Sequence, residues 1–212
     1  MDENWLEVKV WGEWACFTRP EMKAERVSYP VMTPSAARGV LEAIFWKPQF
    51  QWQVREIAVL KPPQFFSILR NEVNSKASPE KASRGYFGDD ESERAQRHTL
   101  ALRDVAYIIR AEAVLKPEAA GEHPAKYRDQ FRRRVERGQC YFTPYPRCRE
   151  FAASFGPPSP EDTPIQVTEG LGQMLFDMVY GEDGSRTPRF FDARLERGVV
   201  RLPPELYREG GG

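Results

Sequence analysis

Leu6-Glu7-Val8-Lys9-Val10-Trp11 alternates apolar and charged side chains without a break. A period of two over six residues predicts a β-strand with one buried and one wet face. Downstream, Thr33-Pro34-Ser35-Ala36 has the form of a helix start, a Thr N-cap followed by Pro in the first turn. The helix is expected to run to about Lys47, where Pro48 stops it, burying Ala37, Leu41, Ile44 and Phe45. Trp52 to Leu60 reads as a second strand. Leu102 to Leu115 reads as a long one, with Val105, Tyr107, Ile109, Ala111 and Ala113 on one face. A second helix is expected from Pro124 to a C-cap glycine at Gly138, and a further strand within Phe142 to Phe155. The order strand, helix, strand, strand, helix, strand is that of an α+β, RRM-like (ferredoxin-like) βαββαβ domain.

Two segments fall outside that plan. Residues 64–100 are the least regular part: Lys76 to Arg97 is polar, carries the acidic run Asp89-Asp90-Glu91-Ser92-Glu93 and has few core formers, which predicts a long irregular insertion between two strands. Gly156-Pro157-Pro158-Ser159-Pro160 marks a boundary. Beyond it, Met174–Tyr180, Arg189–Leu195 and Val199–Leu202 predict short strands of a small antiparallel β domain. The expected division is therefore residues 1–158, an RRM-like domain with the insertion, and residues 159–212, a small C-terminal β domain.

The chain has 31 basic and 31 acidic side chains, so bulk charge gives no sign of a nucleic-acid partner. Its polar, acidic beginning does not resemble a secretory signal. The most apolar stretch, Val105 to Leu115, contains Arg110 and Glu112 and is too short to span a bilayer. Cys16, Cys140 and Cys148 form an odd set without CxxC spacing, which fits a reduced, cytoplasmic protein without structural zinc. No cofactor is implied, and no convincing set of converging carboxylates suggests a two-metal nuclease.

The local charge distribution is more informative. Pro124 to Arg149 holds eight basic side chains against two acidic ones, and Tyr127, Phe131, Tyr141, Phe142 and Tyr145 are interleaved with them. Arginines neutralise phosphates and aromatic faces stack on unpaired bases. A solvated helix face with its arginines paired to acids elsewhere is the alternative. Arg132, Arg133 and Arg134 cannot all meet one RNA, because adjacent helical positions point about 100° apart. His123-Pro124-Ala125-Lys126-Tyr127 opens this helix with three side chains useful to a metal-free ribonuclease. In such an enzyme the nucleophile is the substrate's own 2′-hydroxyl, so the protein aligns it, moves protons and stabilises negative charge. A surface His, a snorkelling Lys and a core Tyr would account for the same run.

The block from Ser28 through Tyr29-Pro30, Thr33-Pro34-Ser35 and Arg38-Gly39 to Phe45-Trp46-Lys47-Pro48 resembles the signature of the subtype I-C (Dvulg-type) Cas-five proteins, a RAMP-superfamily group. Trp11 to Lys23, Arg70-Asn71-Glu72-Val73, Gln96-Arg97-His98-Thr99-Leu100 and Gly138 to Phe151 fit the same family, so the resemblance covers nearly the whole chain. It implies an RRM-like N-terminal domain and a small C-terminal β domain. It also implies metal-independent cutting of CRISPR repeat RNA at the base of its hairpin, leaving a 5′-hydroxyl and a cyclic phosphate. The protein would then stay on the crRNA 5′ handle and join the backbone and large subunits of Cascade for antiviral defence. A further affinity for duplex DNA is compatible with the basic helix.

The family's catalytic trio, a Tyr at the end of the first helix and an adjacent Lys-His pair, maps by position onto Phe45, Lys126 and Tyr127. Only the lysine is kept. Phe45 cannot exchange a proton, and Tyr127 puts a group of pKa near 10 where one near 6.5 is usual. His123, one helical turn earlier, is the candidate to take over part of the histidine's work. A handle-binding subunit with weak or no nuclease activity is the competing expectation. RNA contacts are expected from Arg128, Arg132, Arg133, Arg134, Arg137, Arg38 and Lys47. Tyr29 and Trp46 are either stacking platforms or core residues. The insertion, with Lys76, Lys81, Arg84 and Arg97, would press into the guide.

Overall fold

The computed structural model describes residues 4–22, 24–73, 78–84, 94–146, 150–181 and 183–208. The alternating stretch at the start forms strand β1 (Leu6–Ala15), with Leu6, Val8 and Val10 inside. A two-residue strand β2 (Arg26–Val27) precedes helix α1 (Pro34–Ile44), whose N-cap Thr33 accepts from the Ala36 N–H. Strands β3 (Phe50–Val59) and β4 (Gln64–Val73), a short helix α2 (Pro79–Arg84) and the 22-residue strand β5 (Arg94–Leu115) follow. Helix α3 (Pro124–Glu136) then leads to β6 (Ser154–Gly156), β7 (Glu169–Tyr180), β8 (Arg186–Glu196) and β9 (Val199–Arg201).

The described strands make one curled, almost wholly antiparallel sheet in the order β6-β1-β5-β3-β9-β8-β7, with β2 and β4 added along β5. Both α1 and α3 pack on its inner face. There Tyr107, Ile109 and Ala111 of β5 join Leu41 and Ile44 of α1 and Phe131 of α3 in one core, as their alternation and helical spacing demand. The outer face carries a chain of charges across the strands: Glu7–Arg110–Glu56–Arg201–Glu196, with Arg55–Glu112 beside it. The C-terminal strands continue the same sheet, because Val199, Val200 and Arg201 of β9 pair with Ala58, Ile57 and Glu56 of β3.

Three local expectations change. Residues 64–73 and 94–103 are not irregular; they pair over their whole length as a two-stranded ribbon, from Gln64↔Arg103 to Val73↔Arg94. Both ribbon faces are largely in contact with water, so no core stripe appears in the sequence, and Glu72 binds Arg26, Arg70 and Arg97 instead. Asp104 stands at the bend where β5 leaves the ribbon for the main sheet, with φ 51°, a conformation Asp tolerates better than most residues. The strand expected within Phe142–Phe155 shrinks to Ser154–Gly156, and helix α1 stops at Ile44, three residues short of Lys47. Lys76, the run Asp89–Glu93, Arg147, Cys148 and Arg149 lie outside the described residues, as do the side chains of Lys81 and Arg84.

Candidate nucleic-acid interface and active site

The C-terminal end of α1 leaves carbonyls that the helix itself cannot satisfy. Three different elements fill them. The Tyr141 N–H donates to Ala43 O at 2.8 Å, Arg134 Nη1 to Ile44 O at 2.8 Å, and Trp52 Nε1 to Phe45 O at 2.8 Å. The segment after α3, α3 itself and β3 thus fix the point where the chain turns outward into Trp46-Lys47-Pro48. Phe45 caps the helix with extended backbone and is buried. Its ring lies against Phe50 and Tyr127, with the Arg134 guanidinium 5.5 Å from its centroid. Phe45 therefore packs, as a ring without a hydroxyl should.

Helix α3 begins at His123, whose Nδ1 accepts from the Ala125 N–H as the N-cap. With Nδ1 accepting, a neutral imidazole carries its proton on Nε2, so His123 faces solvent as a donor. One residue upstream, Glu122 gathers the expected catalytic groups. Its Oε2 accepts from Lys126 Nζ at 2.6 Å and from the Tyr127 hydroxyl at 2.5 Å. The hydrogen bond from Lys126, then that from Tyr127, hold the Glu122 carboxyl below its ordinary range. The Glu122 contact raises Lys126 and Tyr127 above theirs. The result is an ammonium and a protonated phenol sharing one carboxylate at the mouth of a helix N-terminus. Tyr127 is buried, and its hydroxyl donates to the half-buried Glu122. Glu122 was not singled out from the sequence, although its i, i+4 spacing to Lys126 was the available signal.

The arginines separate by helix face. Tyr127, Phe131 and Val135 point into the core. At about 100° per residue, Lys126, Arg133 and Arg137 fall on one flank, next to the side from which Arg134 reaches α1. Arg133 and Arg137 make no ion pair among the described residues, and both are exposed. Arg128 and Arg132 lie on the other flank, where Arg128 bonds Asn4 and Arg132 sits 3.6 Å from Asp129. The other expected contacts also divide. Arg38 pairs with Asp177 of β7 and with Glu42, tying α1 to the C-terminal strands. Tyr29 is completely enclosed beneath Arg19 and offers no face to a base. Trp46, 57% exposed, and Lys47 stand free beyond the end of α1.

Between the end of α1 and α3 lies a cavity of about 530 Å³, lined by Glu42, Phe45, Trp46, Lys47, Pro48, Arg134, Tyr141 and Phe142. Tyr141 is 85% exposed and Phe142 is half-exposed. Elsewhere on the sheet Trp11 is also exposed, but Lys9 and Lys61 beside it are paired with Asp162 and Asp104. No group of three His, Cys, Asp or Glu residues converges among the described residues, and none of the described helices is long and apolar enough to cross a membrane.

Comparison with known proteins agrees with the extent of the sequence resemblance. The family described as CRISPR-associated protein (Cas_Cas5), in its Cas5d form, matches residues 5–202. A protein of Thermus thermophilus named CRISPR pre-crRNA endoribonuclease Cas5d is 47% identical, over 96% of this chain and 93% of its own. A protein of the same name from Mannheimia succiniciproducens is 45% identical, over 97% of both chains. Among solved structures, a CRISPR-associated protein superposes with a TM-score of 0.71 at 22% identity, covering 95% of this chain and 93% of that one. A chain of a CRISPR RNA-guided surveillance complex superposes with a TM-score of 0.54 at 13% identity, over 95% and 92%. These two likenesses show a shared mixed α/β fold with a curled antiparallel sheet and few helices. The chain belongs to the Cas5d family of CRISPR-associated proteins.

Proposed function

We propose that this chain cuts CRISPR repeat RNA at the hairpin base, without metal, through the 2′-hydroxyl of the substrate. It then remains on the crRNA 5′ handle within type I-C Cascade, in the cytoplasm. The observation that carries this reading is the Glu122–Lys126–Tyr127 cluster at the start of a helix whose adjacent flank presents Arg133 and Arg137. In this scheme the RNA backbone follows that flank, and the scissile phosphate lies at the N-terminus of α3, where the positive end of the helix dipole favours an anion. Lys126 stays an ammonium and stabilises the extra charge of the phosphorane. Tyr127, a poor base with its raised pKa, donates its proton to the departing 5′-oxygen, while the proton of the attacking 2′-hydroxyl leaves to solvent water. Glu122 positions both. His123, with Nε2–H outward, hydrogen-bonds a phosphate oxygen. The products are a 5′-hydroxyl and a 2′,3′-cyclic phosphate.

Residues 1–158 form the RRM-like unit in this reading, supported by the order β6-β1-β5-β3 with a helix after β1 and after β5. Residues 159–212 extend it. The β4–β5 ribbon is the part that presses into the guide beside the backbone and large subunits, and duplex DNA would compete for the arginines of α3.

The decisive experiment compares repeat RNA with the same RNA carrying one 2′-deoxynucleotide at the cut site, both in EDTA. Cleavage of the first alone supports the proposal; equal cleavage of both, or cleavage that requires a divalent ion, overturns it. The second reading, a handle-binding subunit without nuclease activity, is favoured by Phe45, a ring with no hydroxyl at the expected catalytic position. Tight binding of both RNAs with neither cut would establish it.

A further inference from the structure

The cavity at the end of α1 has a composition that phosphate binding does not require. Trp46 and Tyr141 are large rings left in water, 57% and 85% exposed, although the edge of Phe142 lies against Tyr141 with the ring centroids 6.1 Å apart. Their backbone is anchored at the helix end: Trp46 directly follows the cap Phe45, and the Tyr141 N–H donates to Ala43 O. Glu42 contributes a carboxylate to the same cavity. Its Oε1 lies 3.4 Å from Arg38 Nε, and the side chain is 40% exposed, so the carboxylate is open to a donor from the cavity. Lys47 supplies positive charge at the rim, while the Arg134 guanidinium is held by Ile44 O and the Phe45 ring. At about 530 Å³ the space is within the roughly 300–1,000 Å³ of small-molecule sites, enough for one nucleoside.

Stacking rings, a single acceptor edge and a flanking cation are the means by which an unstacked base is held and read. We infer that this cavity takes one unpaired purine of the RNA, stacked on Trp46 and Tyr141, with an N–H donor of its Watson–Crick edge facing Glu42. A purine, rather than a pyrimidine, is favoured by the two rings offered for stacking and by the size of the cavity. The inference rests on the RNA reading above and adds a sequence-selecting subsite to it.

The test uses the full chain and repeat RNA in which each unpaired nucleotide is replaced, one at a time, by an abasic residue. At a single purine position the abasic RNA should bind about 5- to 150-fold more weakly, the ~1–3 kcal/mol of one base stack. Trp46→Ala and Tyr141→Ala remove exposed rings and leave the core alone. They should weaken intact RNA and leave the abasic RNA bound as before. Glu42→Met, which keeps the length of the side chain but has no oxygen to accept the N–H, should erase the preference for that purine over unsubstituted purine riboside, which lacks the N–H donor, while the abasic penalty remains. Insensitivity at every unpaired purine, or equal weakening of intact and abasic RNA by Trp46→Ala, would overturn the subsite. Neither result would touch the RNA reading, which fails only if the wild-type chain neither binds nor cuts the intact repeat.

Discussion

Arg133 and Arg134 are adjacent in sequence but occupy different environments, and substituting each with Met separates their roles. Met retains an unbranched apolar stem and removes the charged head. At Arg134 the head donates to Ile44 O at 2.8 Å and lies 5.5 Å from the Phe45 centroid. A hydrogen bond from a charged group contributes about 1.5–3 kcal/mol, and partial exposure discounts it to roughly 1 kcal/mol. The cation–ring contact adds about 0.5–1 kcal/mol. Arg134→Met should therefore cost ~1.5–2 kcal/mol, which lowers Tm by about 3–8 °C in a chain of this size. Arg133 has no ion-pair partner among the described residues, so Arg133→Met should leave Tm within about 1 °C, as for other isolated surface sites. The order reverses in RNA binding. Each phosphate contact on single-stranded RNA adds about 0.7 to the slope of log affinity against log salt. Arg133→Met should lower that slope by about 0.7, and Arg134→Met should leave it unchanged. Thermal melts and filter-binding titrations from 50 to 300 mM salt measure both quantities. If Arg134→Met melts with the wild type, or if the two variants change the salt slope equally, the assignment of faces on α3 is wrong.

Lys126→Ala should slow single-turnover cleavage by about 10²–10³-fold, the usual effect of losing one group that stabilises transition-state charge, with RNA affinity changed only a few-fold. Across about pH 6–9 the cluster should hold one charge state. Glu122 lies below its ordinary value, so its contribution to stability is present above that value and is lost only as pH falls through the depressed one. Lys126 lies above its own, so its contribution is lost only as pH rises through the raised value. A limb of the pH–rate profile within that window that disappears in Tyr127→Phe would contradict this. Phe131→Ala, which empties a fully buried site 4.8 Å from the Trp52 ring centroid, should cost about 3–5 kcal/mol, measured by urea unfolding. Arg128→Ala and Arg132→Ala, on the far flank of α3, should leave the cleavage rate within about two-fold, since surface changes away from a site have small effects.

The elements that can be read from the sequence are those whose signals are local. Alternation in Leu6–Trp11, the Thr33-Pro34 start of α1 and the Tyr127, Phe131 and Val135 spacing of α3 each need only neighbouring residues to be interpreted. The ribbon of β4 and β5 was hidden because its strands face water on both sides and are held by cross-strand charges such as Arg97–Glu72. The loop after α3 looked like a strand because Phe142 and Tyr145 are aromatic, yet its backbone bonds go to the end of α1 instead. The candidate site was legible as a composition, a basic helix with His, Lys and Tyr at its start. Its geometry was not. That Arg38 faces Asp177, 139 positions away, that Tyr29 is enclosed, and that Trp46 is exposed all depend on tertiary contacts that no short window contains.

The seam between β3 and β9 has a consequence for biosynthesis. Ala58 pairs with Val199, so about 140 residues of chain must be made after β3 before its outer edge can be covered. At a synthesis rate of roughly 5–20 residues per second, that edge waits about 7–28 s, presenting Ile57 and Ala58 with open backbone groups beside them. An uncovered apolar strand edge is a template for unwanted pairing. The nascent chain is thus most vulnerable to self-association before its last strands emerge, and truncation before Val199 should yield aggregates rather than a shortened soluble protein.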